Sequence, residues 1–238
     1  MSARVYFIGF NNQARIDKAV ASVRGEYPIT LMDNGAEKLT APDGVDYLKT
    51  GPAYFTSAVN KAILSSSMDN EIAIVCNDDI ELEPGCLRKL VESVEAGAGM
   101  ACPIQVDMAV PDRVIMAGTM QAFPAGVHRT CSRETATEAG PRDYPWLPFC
   151  VVAFHPAMVT EIGTLDTNMR MWFSDSDYCI RARQAGWRVM LEPSAVVRHE
   201  HMGSTGPGRG HTLDMLFVTD QSAFQRKWGG AVLEEYSP

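Results

Sequence analysis

The sequence lacks the features that mark membrane proteins, nucleic-acid-binding proteins and signal-peptide-bearing precursors. None of its 238 residues belongs to a run approaching the ~20 apolar residues of a membrane span, and the N-terminal stretch MSARVYFIGF has no long apolar core. No basic run is present, and the net charge of -8 opposes binding to phosphate backbones or anionic lipid. We therefore expect a cytoplasmic protein with no transmembrane segment and no nucleic-acid partner.

Paired cysteines are also missing. The six cysteines never form a CxxC motif, and most of them lie inside apolar runs. This placement favours buried reduced thiols over a disulfide framework. The chain length and the 46% share of hydrophobic residues suit one α/β domain with a sizeable core.

The first hundred residues alternate short β-rich runs with stretches of helical periodicity. After Pro84, which suits the start of a helix, the apolar stripe of Leu87, Leu90, Val91 and Val94 predicts a buried helix face. The alternation is typical of a parallel sheet covered by helices on both faces. Strands are predicted over residues 4–10, 29–32, 45–48 and 71–76.

The chain changes character after residue 99. Residues 99–146 are rich in Pro, Gly, Thr and Arg and predict a strand followed by a loop-rich excursion. FCVVAF (149–154) predicts a return to the sheet, and a helix is expected to begin after Ser176 or Asp177 and to end at Gly186. Further segments are one or two strands within 187–201, a flexible loop at 203–210 and a C-terminal helix over 213–228.

Polar clusters follow three of the predicted strands. They are Asn-Asn at 11–12, Asp-Asn-Gly at 33–35 and Asn-Asp-Asp at 77–79. In an open parallel sheet the ligand cleft lies beyond the carboxyl ends of the strands. Two adjacent carboxylates repel each other, so Asp78 and Asp79 would suit a hard cation such as Mg²⁺ or Mn²⁺. The alternative is a solvated turn that places Asp79 near the start of the following helix.

Two further polar clusters lie in the second half of the chain. In MWFSDSDYCIRARQAGW (171–187), Asp177 is well placed as a helix N-cap, which leaves Asp175 for another role. In VVRHEHMGSTG (196–206), strand alternation sends His199 and His201 to the same side. Their spacing is not that of the HExxH zinc proteases, so a single histidine in an oxygen-rich Mn²⁺ site is favoured over a zinc pair.

Taken in order, these clusters resemble the inverting GT-A glycosyltransferases of family two, particularly the rhamnosyltransferase-like branch. ITLMDNGA is similar to the strand end whose Asp recognises the nucleotide base, and VCNDDIELEP resembles the segment with the Asp-X-Asp-type metal ligand. Residues 163–205 resemble the segment that runs from the catalytic base to a strand ending in His. The resemblance implies the GT-A fold, an α/β architecture with a Rossmann-like, mostly parallel central sheet and helices on both faces.

The resemblance also implies roles for single residues. Asp175 would be the catalytic base, and Asp79, assisted by Asp78 and His199, would hold Mn²⁺ or Mg²⁺. Arg209, in the glycine-rich loop, would close over the diphosphate, unless that loop is an unstructured linker. The nucleotide-sugar contacts expected in total are Gly9, Phe10, Asn11, Asp33, Asn60, Asn77, Asp78 and Arg209.

These roles predict transfer of a hexose or deoxyhexose, such as rhamnose, from a UDP-, dTDP- or GDP-linked donor. The acceptor would be a hydroxyl of a glycan or glycoconjugate, and the reaction would invert the anomeric configuration. One domain is expected over 1–238, with a nucleotide-binding half (1–104), an acceptor and catalytic half (105–212) and a C-terminal helix (213–238).

Two alternative functions stay open. A nucleotidyltransferase would also present carboxylates to a nucleotide-bound metal, although GFNNQARID lacks the glycine-rich basic loop typical of that class. A non-catalytic nucleotide-sugar or glycan-binding protein of the same fold is the other alternative. It is favoured by Ser174, because the resembling family usually carries Glu at that position.

Overall fold

The computed structural model describes residues 1–123, 126–200 and 211–229. Over these ranges the strands are β1 (Ala3–Gly9), β2 (Ile29–Asp33), β3 (Asp46–Lys49), β4 (Ile72–Asn77), β5 (Ile80–Leu82), β6 (Ala98–Asp107), β7 (Val114–Met116), β8 (Thr119–Gln121), β9 (Val127–His128), β10 (Arg142–Asp143), β11 (Val151–Phe154) and β12 (Arg188–His199). The helices are α1 (Gln13–Ala21), α2 (Phe55–Met68), α3 (Cys86–Glu95), α4 (Arg133–Glu138), α5 (Pro156–Ile162), α6 (Ser174–Gln184) and α7 (His211–Trp228).

One large sheet runs through the molecule in the order β10-β12-β6-β11-β4-β1-β2-β3. β1 pairs in parallel with β2 and β4, β2 in parallel with β3, and β12 in parallel with β6. β11 is antiparallel to both of its neighbours, β4 and β6. The sheet is therefore mostly parallel, and the strand order reverses at β1, where the chain passes from β2 on one side to β4 on the other.

Hydrophobic cores lie on both faces of this sheet. Alternate residues of a strand point to opposite faces, and in β1 Tyr6 and Ile8 belong to one core whereas Val5 and Phe7 belong to the other. The first core is covered by α2, α5 and α6, and the second by α1 and α3. The predicted apolar stripe of α3 is confirmed, since its four residues are all buried.

The start of α6 differs from the prediction. The helix begins at Ser174, directly after Phe173, whose φ of 64° is left-handed, and not after Ser176 or Asp177. The N-cap role expected for Asp177 is therefore wrong. Its buried carboxylate instead accepts hydrogen bonds from Arg181 Nε at 3.0 Å and Trp228 Nε1 at 2.8 Å. Asp177 therefore lies inside α6, and its side chain links this helix to α7.

The segment after Asp79 also differs from the solvated turn and helix start considered above. Residues 80–82 form β5, which pairs antiparallel with the end of β12, and α3 begins only at Cys86. Gly85, with a φ of 77°, precedes the helix in place of the expected start at Pro84. Asp79 thus lies in a tight turn between two strands, so a helix dipole does not account for it.

The structure also bears on the expected free thiols and on the expected lack of a transmembrane segment. All six cysteines are free, and five of them are buried. Burial raises the pKa of the Cys150 thiol well above its usual value, which keeps it protonated. None of the described helices is long and apolar enough to cross a bilayer.

Candidate active site

A cavity of about 640 Å³ opens beyond the carboxyl ends of β1, β2 and β4. Its volume lies within the range of roughly 300–1,000 Å³ that is common for small-molecule sites. The predicted site residues that line it are Phe10, Asn77, Asp78, Asp79, Asp175 and His199. Strand ends, the β4–β5 turn and the first turn of α6 therefore bring these predicted residues to one place.

Asp79 and His199 lie side by side in the cavity. Ile80 lies opposite His199 in the β5–β12 pairing, so the preceding residue, Asp79, lies beside the imidazole. The distance from Asp79 Oδ1 to His199 Nε2 is 3.4 Å. Within the described part of the chain, Asp79 Oδ1 is buried and accepts no hydrogen bond. A buried carboxylate oxygen of this kind is costly without a positive or hydrogen-bonding partner.

Gln105, on β6, is hydrogen-bonded to the His199 ring. Its Oε1 lies 3.0 Å from His199 Nδ1. Because an amide oxygen can only accept, Nδ1 carries the hydrogen and the lone pair of the neutral ring is on Nε2, the nitrogen that faces Asp79. A carboxylate oxygen suits Mn²⁺ or Mg²⁺, and an imidazole nitrogen is a common ligand of divalent transition metals. Asp79 and His199 therefore fit a divalent cation.

Asp78 lies next to this pair but makes a different contact. Its Oδ2 accepts a hydrogen bond from the backbone N–H of Phe10 at 2.7 Å, which ties the end of β4 to the end of β1. Burial, and to a smaller degree the charge of Asp79, raises the pKa of Asp78 to about 6. Among the described residues, no group of three or more His, Cys, Asp or Glu side chains is arranged to hold a metal. Any cation at Asp79 and His199 would need further ligands from substrate or water.

Asp175 lies in the first turn of α6 and faces the cavity. Its Oδ1 accepts the backbone N–H of Ser176 at 2.8 Å. Burial raises the pKa of Asp175 to about 6, although hydrogen bonds from the Ser176 and Phe149 backbone partly oppose the shift. A carboxylate with a pKa close to neutral can accept a proton from a substrate near physiological pH.

Asp33 is buried and does not line the cavity. Its Oδ2 accepts hydrogen bonds from the Tyr47 hydroxyl at 2.7 Å and the Leu39 N–H at 3.1 Å, and Lys49 Nζ is 3.1 Å away. Burial alone raises the pKa of Asp33, but these three partners outweigh it and hold the pKa below its ordinary value. The neighbouring Asn34 does line the cavity. Asp33 is therefore an ionised side chain next in the chain to a residue that lines the cavity.

Gly9 and Asn11 are needed for the shape of the strand end. A Cβ on Gly9 would come within 2.5 Å of Leu39 Cδ1, so only glycine packs there without displacement. Asn11 has a φ of 54°, and its Oδ1 accepts the N–H of Glu37 at 2.9 Å. Neither residue lines the cavity. Their predicted contacts with a nucleotide sugar receive no support from their positions.

Asn60 is likewise separate from the cavity. Its Nδ2 donates to Leu165 O at 2.9 Å, and its Oδ1 accepts the Leu165 N–H at 2.8 Å. Both ends of the amide are thus used to join α2 to the loop before α6, so its predicted contact with the donor is not supported. Arg209 falls outside the described residues, as does His201.

Several residues that line the cavity were not among the site residues predicted from the sequence. Gln105, which is 1% exposed, is the clearest case, and its Nε2 has no partner among the described residues. The available signal was a glutamine inside an otherwise apolar strand. The others are mainly apolar or aromatic: Ile8, Asn34, Pro52, Ala53, Tyr54, Phe55, His128, Pro148, Phe149, Cys150, Met171, Trp172, Leu213 and Leu216.

Comparison with solved structures decides the fold. A crystal structure of GalNAc-T7 with UDP, GalNAc and Mn²⁺ aligns with a TM-score of 0.65 and 14% identity over 84% of this chain. The chain has the GT-A fold. A197 from STIV aligns with a TM-score of 0.53 and 6% identity, over 84% of this chain and 85% of A197. The predicted fold class is confirmed.

The likeness concerns the fold alone, because the identities are low. This GT-A chain spans 44% of the GalNAc-T7 chain that it matches. No protein-family model matches the sequence, and no curated protein matches it either.

Proposed function

We propose that this GT-A chain is a metal-dependent glycosyltransferase. It transfers a hexose or deoxyhexose from a nucleoside diphosphate sugar to a hydroxyl of a glycan or glycoconjugate, with inversion, as in the family-two enzymes that its motifs resemble. The donor is a UDP-, dTDP- or GDP-sugar. The observation that carries this proposal is the Asp79–His199 pair in the same cavity as Asp175. Asp79 Oδ1 lies 3.4 Å from His199 Nε2.

The charge of the cavity supports a requirement for metal. Three carboxylates line it, and no Lys or Arg does so among the described residues. A diphosphate leaving group would meet only negative or neutral side chains there, and the resulting repulsion needs a cation to offset it. GalNAc-T7, which shares the fold, was crystallised with UDP and Mn²⁺. Both observations favour a divalent cation held by Asp79 and His199.

The residues around the pair have distinct tasks in this reaction. Bound there, Mn²⁺ or Mg²⁺ would neutralise the charge that develops on the departing nucleoside diphosphate. Gln105 keeps the lone pair of His199 on Nε2 through the hydrogen bond at Nδ1. Asp78 holds the backbone of Phe10, so the ends of β1 and β4 keep a constant separation under the donor.

Asp175 is the proposed base. As the acceptor oxygen attacks the anomeric carbon from the face opposite the leaving diphosphate, the Asp175 carboxylate removes the hydroxyl proton. Its pKa of about 6 lets it be ionised at neutral pH and still bind a proton more readily than an ordinary aspartate. Attack from the opposite face gives a product of inverted configuration.

The nucleoside end of the donor is assigned to the β1–β2 side of the cavity. Asn34 and Phe10 line that side, and Phe10 is 53% exposed, so its ring is accessible to a flat ligand. Asp33, whose counterpart recognises the nucleotide base in the enzymes that the motifs resemble, does not line the cavity itself. It is assigned to this side because Asn34 follows it in the chain and because its Oδ1 has no hydrogen-bond partner in the described part of the chain.

The test is turnover with a panel of UDP-, dTDP- and GDP-sugars in the presence of Mn²⁺. Release of the nucleoside diphosphate with transfer or hydrolysis of the sugar supports the proposal, whereas formation of a nucleoside triphosphate and a sugar 1-phosphate on addition of pyrophosphate would indicate a nucleotidyltransferase. Binding without turnover would indicate a non-catalytic protein. Turnover that persists in excess EDTA would contradict the role given to Asp79 and His199.

A further inference from the structure

The loop that leads into α6 carries two cavity residues, Met171 and Trp172, immediately before the turn that contains Asp175. On one side this loop is held by α2. Thr56 Oγ1 donates to Met169 O at 2.7 Å, and the Thr56 N–H donates to Arg170 O at 3.1 Å. These bonds use the carbonyls of the loop and leave its N–H groups to other partners.

Asp220, on α7, receives those N–H groups. Its Oδ2 accepts the backbone N–H of Arg170 at 3.0 Å, of Met171 at 2.9 Å and of Trp172 at 3.0 Å. Three consecutive amides that converge on one oxygen form an anion nest. Asp220 is fully buried, and burying a carboxylate is expensive unless such charge-assisted bonds compensate for it. The side chain therefore favours one conformation of the loop.

Phe173, the next residue, is held in a strained conformation. A φ of 64° is uncommon outside glycine and persists only when the surroundings impose it. The Phe173 ring packs against Phe224 and Phe217 of α7, with centroids 5.2 and 5.6 Å away. Its carbonyl accepts the Asp177 N–H at 2.9 Å. α7 therefore also contacts Phe173, the residue immediately before α6.

The far side of Asp175 is held by the same helix. Asp177 accepts hydrogen bonds from Trp228 Nε1 at 2.8 Å, and Lys227 Nζ lies 2.7 Å from its Oδ1. Asp175 is therefore flanked on both sides by backbone that α7 holds in place. The hydrogen bonds of Asp220 go to the loop amides and that of Asp175 to Ser176, so Asp220 would act on Asp175 through the loop.

We propose that Asp220 is a positioning residue for Asp175: through the nest at residues 170–172 it sets the course of the loop that directs the Asp175 carboxylate into the cavity. This inference rests on the proposed role of Asp175 as the base. It assigns α7 a part in catalysis in addition to its packing against the core.

The first test measures the environment of Asp175 directly. The carboxyl signal of Asp175 is followed by ¹³C NMR as the pH is varied, and it is identified by its loss in Asp175→Asn. In the wild type the midpoint is expected at about 6, because burial raises it. In Asp220→Asn the loop loses its anionic acceptor, water reaches Asp175, and the midpoint is expected to fall toward the ordinary value of 3.8. An unchanged midpoint would overturn the proposal.

Two control variants separate positioning from general loss of stability. Ser66→Ala removes a buried hydrogen bond to the Tyr6 hydroxyl, 2.9 Å long, far along the chain from the nest. Asp69→Asn removes one negative charge at an exposed site after α2. Both are expected to leave the Asp175 midpoint at its wild-type position. A matching fall in Ser66→Ala would show that any destabilisation has this effect, and the proposal would fail.

A kinetic measurement completes the test. With the sugar nucleotide that turns over, Asp220→Asn is expected to lower kcat at least tenfold and to leave the donor KM unchanged, because the donor side of the cavity is built by β1, β2 and β4. If Asp175→Asn keeps full turnover, Asp175 is not the base. The NMR midpoint still shows whether Asp220 positions the Asp175 carboxylate. If Asp175→Asn is inactive but Asp220→Asn keeps both kcat and the midpoint, only the present inference fails.

The wild-type protein gives an independent check, should Asp220→Asn not fold. The N–H groups of Arg170, Met171 and Trp172 should exchange with deuterium much more slowly than exposed loop amides, since all three are bonded to a buried carboxylate. Exchange as fast as in exposed loops would overturn the nest and the proposal with it.

Discussion

Replacing Asp175 with Asn is expected to stabilise the folded protein above pH 6. Burial raises the pKa of Asp175 from 3.8 to about 6, so the ionised carboxylate is less favourable in the folded protein than in the unfolded chain. Because each pKa unit corresponds to about 1.4 kcal/mol, this ionisation costs up to about 3 kcal/mol of stability. Asn removes the charge and keeps an oxygen that can accept the Ser176 N–H. The variant should therefore be the more stable protein wherever the wild type is ionised.

The sign of the effect depends on pH. A carboxyl whose folded pKa is raised contributes most to stability below its unfolded pKa, and this contribution is lost as the pH rises through the folded pKa. The stability gain of Asp175→Asn should thus be small near pH 4, grow between pH 4 and 6, and stay constant above that. Urea unfolding at pH 4, 6 and 8 measures it. Asp69→Asn controls for the loss of one charge. A gain that is independent of pH, or absent at pH 8, would refute the reasoning.

Three further outcomes follow from the geometry of the site. Gln105→Leu removes the acceptor at His199 Nδ1 and should weaken Mn²⁺ binding about tenfold by calorimetry, and an unchanged affinity would contradict the tautomer assignment. Asp79→Asn should abolish the Mn²⁺-dependent increase in affinity for the nucleoside diphosphate that the wild type releases, which would be contradicted if the increase persisted in the variant. Asn60→Ala should lower the free energy of unfolding by about 1–3 kcal/mol and leave the affinity for that nucleoside diphosphate unchanged, since both ends of its amide bind Leu165. A loss of this affinity would instead restore its predicted role in donor binding.

The parts of the fold that follow from local pattern were predictable. β4 is a buried strand with an apolar sequence, and the stripe of α3 repeats at helical spacing, so each can be recognised from neighbouring residues alone. The convergence of Asp79, Asp175 and His199 was predictable as well, because strands of a parallel sheet end at one edge and the order of the motifs resembles that of known enzymes.

The remaining features depend on contacts between residues that are distant in sequence. β5 has only three residues and exists because it pairs with β12, and the left-handed Phe173 is imposed by aromatic rings on α7. The amides bonded to Asp220 lie 48 to 50 residues earlier in the chain, so no local signal marks this aspartate as anything but a polar residue of a helix. Asp177 was given an N-cap role for the same reason, since Trp228 is 51 residues away.

The most direct test of the central claim is the stereochemistry of the transferred sugar in the presence of Mn²⁺. Proton NMR of the product, formed by the wild type and by Asp175→Asn from the same donor and acceptor, reports both the anomeric configuration and the rate. The account predicts a product of configuration opposite to that of the donor and no detectable transfer by Asp175→Asn, with binding of the nucleoside diphosphate retained. A product of the same configuration as the donor, or transfer by Asp175→Asn at the wild-type rate, would contradict it.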